Sequence, residues 1–174
     1  REILSATRIS RETYIQGVGQ NLPFRDNTFD VITFFSSLHH IPKAQIYTSL
    51  VEAARVSKSD GIVYVAEPLS QGPIYEMLLP VDDETEVRLE AEYEITRVPD
   101  SILLQNQVHY YIDNYYYKNF ESMCKEILSV SPDRSKRLSE VEEYMHELFR
   151  KFGVQEDSGW RFEQPMRVNI LKKP

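Results

Sequence analysis

The residues best suited to chemistry follow a short apolar run in the first quarter of the chain. Residues 31–35, VITFF, are an unbroken series of β-branched and aromatic residues, which predicts a strand covered on both faces. His39 and His40 come shortly after this run, and Glu67 ends the next apolar run at residues 62–66. Such strands belong to open parallel α/β sheets, whose carboxyl ends line the crevice that binds ligands. We therefore expect these side chains at one edge of a sheet.

The two histidines and Glu67 each have two interpretations. A histidine at this place is suited to act as a general base, because its unperturbed pKa of ~6.5 allows proton removal near neutrality. The alternative is that His39 or His40 only satisfies nearby backbone groups. Glu67 is expected either to bind polar groups of a substrate or to cap a neighbouring helix. His109 and His146 lie far away in sequence and no ligand spacing is evident, so the sequence predicts no metal site.

Residues 71–99 differ in character from the preceding part. They combine an apolar patch that includes Tyr75 with the acidic run Asp82-Asp83-Glu84. We interpret this segment as one or two surface helices or a cap beside the cleft. Three tyrosines, Tyr75 here and Tyr110 and Tyr111 further along, are expected either to line a pocket for an apolar or aromatic substrate or to be ordinary core or rim residues.

Composition excludes several classes of protein. The 174 residues suit one domain, and 41% hydrophobic with 27% charged residues is ordinary for a globular protein. A formal charge of −7 argues against a nucleic-acid groove. The single cysteine, Cys124, excludes an intrachain disulfide framework and fits a reducing cytosol, so we predict a cytoplasmic protein. No apolar stretch approaches the ~20 residues that span a bilayer, so no membrane partner is expected.

Periodicity and punctuation predict alternating strands and helices. Strands are expected at residues 13–16, 29–35, 62–66, 108–112 and 167–171. Helices are expected at residues 1–8, 43–58 and 118–128, and as an amphipathic stripe over 138–152, with Ser139 and Glu142 at capping-box spacing. Gly61 is expected to make a left-handed turn after the second of these helices.

One stretch of the chain resembles a known family. It is similar to the middle of a class I S-adenosylmethionine-dependent methyltransferase, close to the ubiquinone and menaquinone C-methyltransferases. The resemblance extends over about residues 14–68 and rests on Leu22-Pro23-Phe24, Asp26, Phe29-Asp30, Leu38-His39-His40, the EAARV segment 52–56, Gly61 and Glu67-Pro68.

This resemblance implies a fold, a cofactor and site residues. The fold is a Rossmann-like α/β sheet with strand order 3-2-1-4-5-7-6, and the cofactor is S-adenosylmethionine. Val18 and Gly19 match the positions that contact the adenine, although Val18 has no side-chain acceptor for the adenine amino group. Phe35 and Ser36 match the positions beside the methionine part of the cofactor.

Two features of the family have no counterpart in this sequence. The family's first strand ends in a glycine-rich turn and its second in an acidic residue for the ribose. The only Gly-x-Gly, at residues 17–19, leads into Asn21-Leu22-Pro23 and opens no helix, so it fails as a nucleotide turn. We therefore interpret residues 1–174 as a single, N-terminally incomplete methyltransferase domain that lacks strands 1 and 2, with residues 71–99 as a cap or substrate-side insertion.

The function expected from all this is methyl transfer from S-adenosylmethionine to an O, N or C atom of a small molecule. The chain alone is expected to be inactive, for lack of the glycine-rich loop. The alternative is a catalytically inactive methyltransferase-like binding or scaffold module. An unrelated hydrolase or reductase is disfavoured, because neither G-x-S-x-G nor a dinucleotide fingerprint appears. An exposed sheet edge would favour pairing between chains, so a homo-oligomer is a further expectation.

Overall fold

A computed structural model describes residues 13–174 as a mixed α/β structure. The predicted helix at residues 1–8 lies outside the described residues. The described strands are β1 (Phe29–Phe35), β2 (Ser57–Pro68), β3 (Leu104–Tyr117), β4 (Val154–Glu156) and β5 (Gly159–Lys172). The described α-helices are α1 (Lys43–Val56), α2 (Pro73–Leu78), α3 (Thr85–Arg97), α4 (Phe120–Val130) and α5 (Ser135–Phe152), with 3₁₀ turns at Leu38–His40 and Pro132–Arg134.

The strands form one sheet in the order β1-β2-β5-β3, with β4 paired to an end of β5. β1 and β2 are parallel, whereas β5 runs antiparallel to both of its neighbours, β2 and β3. Across the sheet, β1, β2, β5 and β3 take the last four positions, 4-5-7-6, of the predicted order. The places of strands 3, 2 and 1 stay a prediction.

The first core lies between one face of the sheet and helices α1 and α3. β2 and β5 supply Val63, Val65 and Leu171, and Leu50 of α1 and Ile95 of α3 pack with them. Ile32 and Phe34 of β1 are partly buried against the same cluster. Helical spacing places the apolar residues of α1 on the side that faces the sheet, so these residues close this layer.

A second core lies at the other end of β5, between the sheet and helices α2, α4 and α5. Its centre is aromatic: Phe149 of α5 is 1% exposed and contacts the rings of Phe120, Trp160 and Phe162. α4 begins with a complete capping box, in which the side chains of Asn119 and Ser122 each accept a hydrogen bond from the other residue's backbone N–H.

The loop before β1 is fastened to α1 by residues that carry the family resemblance. The Leu22 N–H donates to Glu52, and the Arg55 guanidinium donates to the carbonyl oxygens of Leu22 and Phe24 and to the Asp26 carboxylate. Glu52 and Arg55 also bond to each other, which raises the pKa of Arg55. Glu52 and Arg55 thus hold this loop in place and do not line the crevice at the strand ends.

The structure corrects several predicted elements. Residues 13–16 form no strand, and nearby only an isolated bridge joins Val18 to Asn21. α1 ends at Val56, and the left-handed residue that follows is Asp60 (φ 63°) rather than Gly61. Ser139 lies inside α5 and donates to the Lys136 carbonyl, so it is not a cap.

The prediction that residues 31–35 are covered on both faces is also wrong for the part of the chain that the structure describes. Val31 is 55% exposed and Phe35 is 59% exposed, whereas the alternate residues Ile32 and Phe34 face the first core. A strand alternates its side chains between two faces, and α1 and α3 cover only one of them. A continuous apolar run therefore does not mean that every side chain is buried. Burial alternates along the strand with the direction of the side chains.

Candidate active site at the carboxyl ends of β1 and β2

A sharp turn follows β1 and brings the two histidines beside the end of β2. Ser36 has a φ of 42°, which L-residues rarely adopt, and its N–H donates to the Ala66 carbonyl over 2.8 Å. The chain then reverses into the Leu38–His40 turn. The predicted wall residues Phe35 and Ser36 thus lie at the carboxyl end of β1, and the Phe35 ring contacts that of Tyr64 at 5.4 Å.

Glu67 is the anchor of this turn. Its Oε1 accepts hydrogen bonds from the backbone N–H groups of Ser37 at 3.0 Å and Leu38 at 2.9 Å. Its Oε2 forms a short hydrogen bond with Nδ1 of His39. A buried carboxylate that accepts from two N–H groups and one imidazole is strongly positioned. Glu67 therefore has the capping contacts expected in one of its two interpretations, and its role toward a substrate stays a prediction.

The second ring nitrogen of His39 faces residues 71–99. His39 is only 4% exposed, and its Nε2 lies 3.8 Å from Oε2 of Glu84, just before α3. That distance is longer than a hydrogen bond. The same oxygen accepts from the guanidinium of Arg88 at 2.7 and 3.2 Å. Residues 71–99 do form two helices, α2 and α3, and Glu84 brings them against the strand-end histidine.

Burial and neighbouring charges tune these groups in opposite directions. Burial, together with adjacent His39, lowers the pKa of His40, which favours the neutral ring. Burial works to raise the pKa of Glu84, but the hydrogen bond and the charge of Arg88, together with the two nearby histidines, lower it by more, and the net pKa is lowered. Burial and the nearby Glu84 raise the pKa of Asp82, whose carboxylate also contacts Arg134.

An arginine on β5 connects the helix layer to the site. Arg167 lies opposite Glu67 in the register of β2 and β5, and its guanidinium pairs with Glu92 of α3. Its Nε is buried without a hydrogen-bond partner, and burial lowers its pKa. This contact ties α3 to the sheet beside Glu67.

The residues matched to the adenine edge lie elsewhere. Val18 is 52% exposed in the segment before β1. Gly19 packs against α1: a Cβ at this position would lie 3.0 Å from the Ser49 hydroxyl and 3.2 Å from the Ile41 side chain. Their role in cofactor binding stays a prediction.

The three predicted substrate tyrosines are not brought together. Tyr75 is buried in α2, where its hydroxyl bonds to Thr85 and its ring lies under Arg88 at 5.4 Å. Tyr110 and Tyr111 lie on β3 and are exposed, next to a cavity of about 340 Å³ that Leu69 and Met166 also line. Burial raises the pKa of Tyr111.

Sequence reasoning missed Glu84 and Arg167. The sequence shows Glu84 only as one member of an acidic run, because nothing in DDE distinguishes the residue that folds against a histidine 45 positions earlier. Arg167 was part of a predicted strand with imperfect alternation. The signal that could have identified Arg167 is a charged residue at an inward position of a buried strand.

Residues 3–65 match the family model described as a methyltransferase domain. This segment contains β1, both histidines, α1 and most of β2. The chain is also similar in structure to a protein of Bacillus halodurans C-125 proposed to be a methyltransferase, with a TM-score of 0.57, 20% identity and coverage of 92% of this chain and 71% of that one. The resemblance to class I methyltransferases is confirmed.

A second similar structure is the YcgJ protein of Bacillus subtilis, with a TM-score of 0.55, 20% identity and coverage of 91% of this chain and 70% of that one. At such identities the likeness establishes the Rossmann-like fold. Among curated proteins no match was found. Within residues 13–174, no helix has the length and apolar character that crossing a membrane requires.

Proposed function

We propose that this chain takes part in methyl transfer from S-adenosylmethionine to an O, N or C atom of a small-molecule acceptor. The observation that carries the proposal is the match of residues 3–65 to the methyltransferase domain, because the described part of that segment contains β1 and the two histidines of the candidate site. Direct displacement at a sulfonium needs an aligned acceptor and the exclusion of water more than it needs a nucleophilic side chain. The comparisons do not favour the alternative, a catalytically inactive module.

Phe35 and Ser36 are the proposed wall for the methionine part of the cofactor, and Val18 and Gly19 the proposed adenine edge. Phe35 supports this role because an exposed aromatic ring at a strand end offers apolar surface to a ligand. Ser36 supports it because its left-handed backbone turns the chain away from the strand at that point.

His39 and His40 are the proposed acid–base pair. Glu67 holds Nδ1 of His39, which fixes the ring and leaves Nε2 as the position for proton exchange. The lowered pKa of His40 favours a neutral imidazole that accepts a proton near neutrality. The proposed binding surface for the acceptor has two parts. One is the apolar and tyrosine-rich surface around Tyr110 and Tyr111, and the other is Tyr75, which lies under α3.

The chain alone is proposed to be inactive, because its sequence contains no glycine-rich turn that opens a helix. Calorimetric titration with S-adenosylhomocysteine, on this chain and on any longer natural form that contains it, tests the proposal. Binding heat from the longer form, reduced by Phe35→Ala but not by the exposed Val130→Ala, is expected. Absence of binding in both forms contradicts a methyltransferase function.

A further inference from the structure

Three potential ligands converge at the edge of the sheet where the two histidines meet Glu84. One ligand atom each from His39, His40 and Glu84 lies within 4.8 Å of the others. The two imidazole rings are 4.0 Å apart between centroids. Residues 13–174 hold no other such group. We propose that His39, His40 and Glu84 bind a divalent transition-metal ion, with zinc as the best-suited ion.

The donor set fits zinc. Two imidazole nitrogens and one carboxylate oxygen form one of the ligand sets of catalytic zinc, which keeps a fourth position open. Zinc–ligand distances of ~2.0–2.2 Å place neighbouring tetrahedral ligands ~3.3–3.5 Å apart. The 3.8 Å between Nε2 of His39 and Oε2 of Glu84 is close to that span, and is too long for a hydrogen bond that would compete with it.

Glu67 supplies the outer support that such a site needs. Metal-bound histidines almost always donate their other N–H to a carboxylate, a backbone carbonyl or water, which fixes the tautomer and orients the ring. Oε2 of Glu67 holds Nδ1 of His39 in this way, and Oε1 is itself held by two backbone N–H groups. His39 is thereby turned so that Nε2 points to Glu84. Glu67 is a positioning residue in this proposal and does not contact the ion.

The surroundings suit a cation. Asp82 and Glu67 add carboxylates around the three ligands, and the guanidinium groups of Arg88 and Arg134, which pair with Glu84 and Asp82, offset only part of this charge. A carboxylate has two oxygens and about four acceptor sites, so Glu84 can keep Arg88 while it binds a metal. A cavity of about 250 Å³, lined by His39, Ile46 and Val87 among others, adjoins the group and gives a route of access. The sequence predicts no metal site and shows Glu84 only as part of an acidic run. The structure adds Glu84 to the two histidines as the third potential ligand.

With a metal bound, Nε2 of His39 is a ligand and no longer exchanges protons, so metal binding and the acid–base role of the histidines exclude each other. Metal binding does not depend on methyl transfer and is measured directly. The chain is titrated with Zn²⁺ by competition with a chromophoric chelator, and with Co²⁺ by visible absorption. We expect one equivalent of each ion and the intense bands of four-coordinate Co²⁺. His40→Ala and Glu84→Gln, which alter groups outside the apolar cores, are expected to weaken binding about 100-fold or more. Glu67→Gln is expected to weaken it about 10- to 100-fold, as the loss of outer support does.

Matched controls are His109→Ala on β3 and His146→Ala on α5. Five glutamates line the same groove as His146. Both controls are expected to bind zinc like the unsubstituted chain. Thermal unfolding of each variant without metal verifies that it is folded. Absence of zinc binding by the unsubstituted chain overturns the proposal. So does binding that is lost with His146 or His109 but unchanged by the His40 and Glu84 substitutions.

Discussion

Two regions of the molecule bury their residues in different ways: the strand ends that hold Glu67, and the aromatic core around Phe149. At the carboxyl ends of β1 and β2, buried ionisable groups are kept in place by partners, as Glu67 is by two backbone N–H groups and His39. Around Phe149, the core is aromatic and its contacts have no direction comparable to a hydrogen bond. The first region therefore fixes geometry at a cost in desolvation, and the second supplies apolar burial without fixing charged groups.

The largest expected effect of a single substitution lies in the aromatic core. Phe149→Ala removes a side chain that is 1% exposed and contacts three other rings, so it leaves a cavity. We expect the free energy of unfolding to fall by about 3–5 kcal/mol, measured by urea denaturation. Tyr144→Ala on the same helix, where the ring is exposed, is the control and is expected to cost less than about 1 kcal/mol. Equal losses in the two variants would show that the aromatic cluster is not a tightly packed core.

The thiol of Cys124, packed beside the aromatic core, sharpens the comparison by titration. Burial, together with the nearby carboxylates of Glu142 and Glu121, raises the pKa of Cys124 to about 11. Alkylation by iodoacetamide at pH 8 is expected to be about 100 times slower in the folded chain than in urea, in proportion to the thiolate fraction.

The same shift has a defined sign for stability. The folded chain keeps the Cys124 proton up to a higher pH than the unfolded chain, so the contribution is present below the unfolded pKa and is lost as the pH rises from about 9 toward 11. Since Cys124 is the only cysteine, Cys124→Ser gives the blank for both measurements. Similar alkylation rates in the folded and unfolded chain would mean that the thiol is not desolvated.

Substitutions of Glu67 test the polar region at the carboxyl ends of β1 and β2. Glu67→Ala leaves the buried N–H groups of Ser37 and Leu38 without an acceptor, and we expect a loss of about 2 kcal/mol in the free energy of unfolding. Glu67→Gln keeps an amide oxygen for these groups and loses only the charged partner of His39, so about 1 kcal/mol is expected. Urea denaturation at pH 7 measures both. If the two variants are equally stable, the carboxylate does not act as the anchor of the turn.

The sequence predicted the strand and helix order well and the site incompletely, for physical reasons. β1 has the predicted bounds Phe29–Phe35, because β-branched and aromatic residues favour a strand locally. The contact between Glu67 and His39 depends on the pairing of β1 with β2 and on the left-handed Ser36, which no local pattern specifies. The failed strand at residues 13–16 shows the same limit, because a strand needs a neighbour and apolar residues alone do not provide one.

The smallest expected effect distinguishes a positioned charge from an exposed one. Lys58 donates to both carboxylate oxygens of Asp30 at 2.9 Å, a geometry no worse than that around Glu67, yet the two side chains are 46% and 80% exposed. Water screens this pair and its side chains lose freedom when they meet. A double-mutant cycle with Asp30→Ala and Lys58→Ala is therefore expected to give a coupling of at most about 0.5 kcal/mol, which disappears in 1 M salt. A coupling as large as the cost of Glu67→Ala would mean that charge geometry, and not burial with directed hydrogen bonds, sets the difference between the two kinds of site.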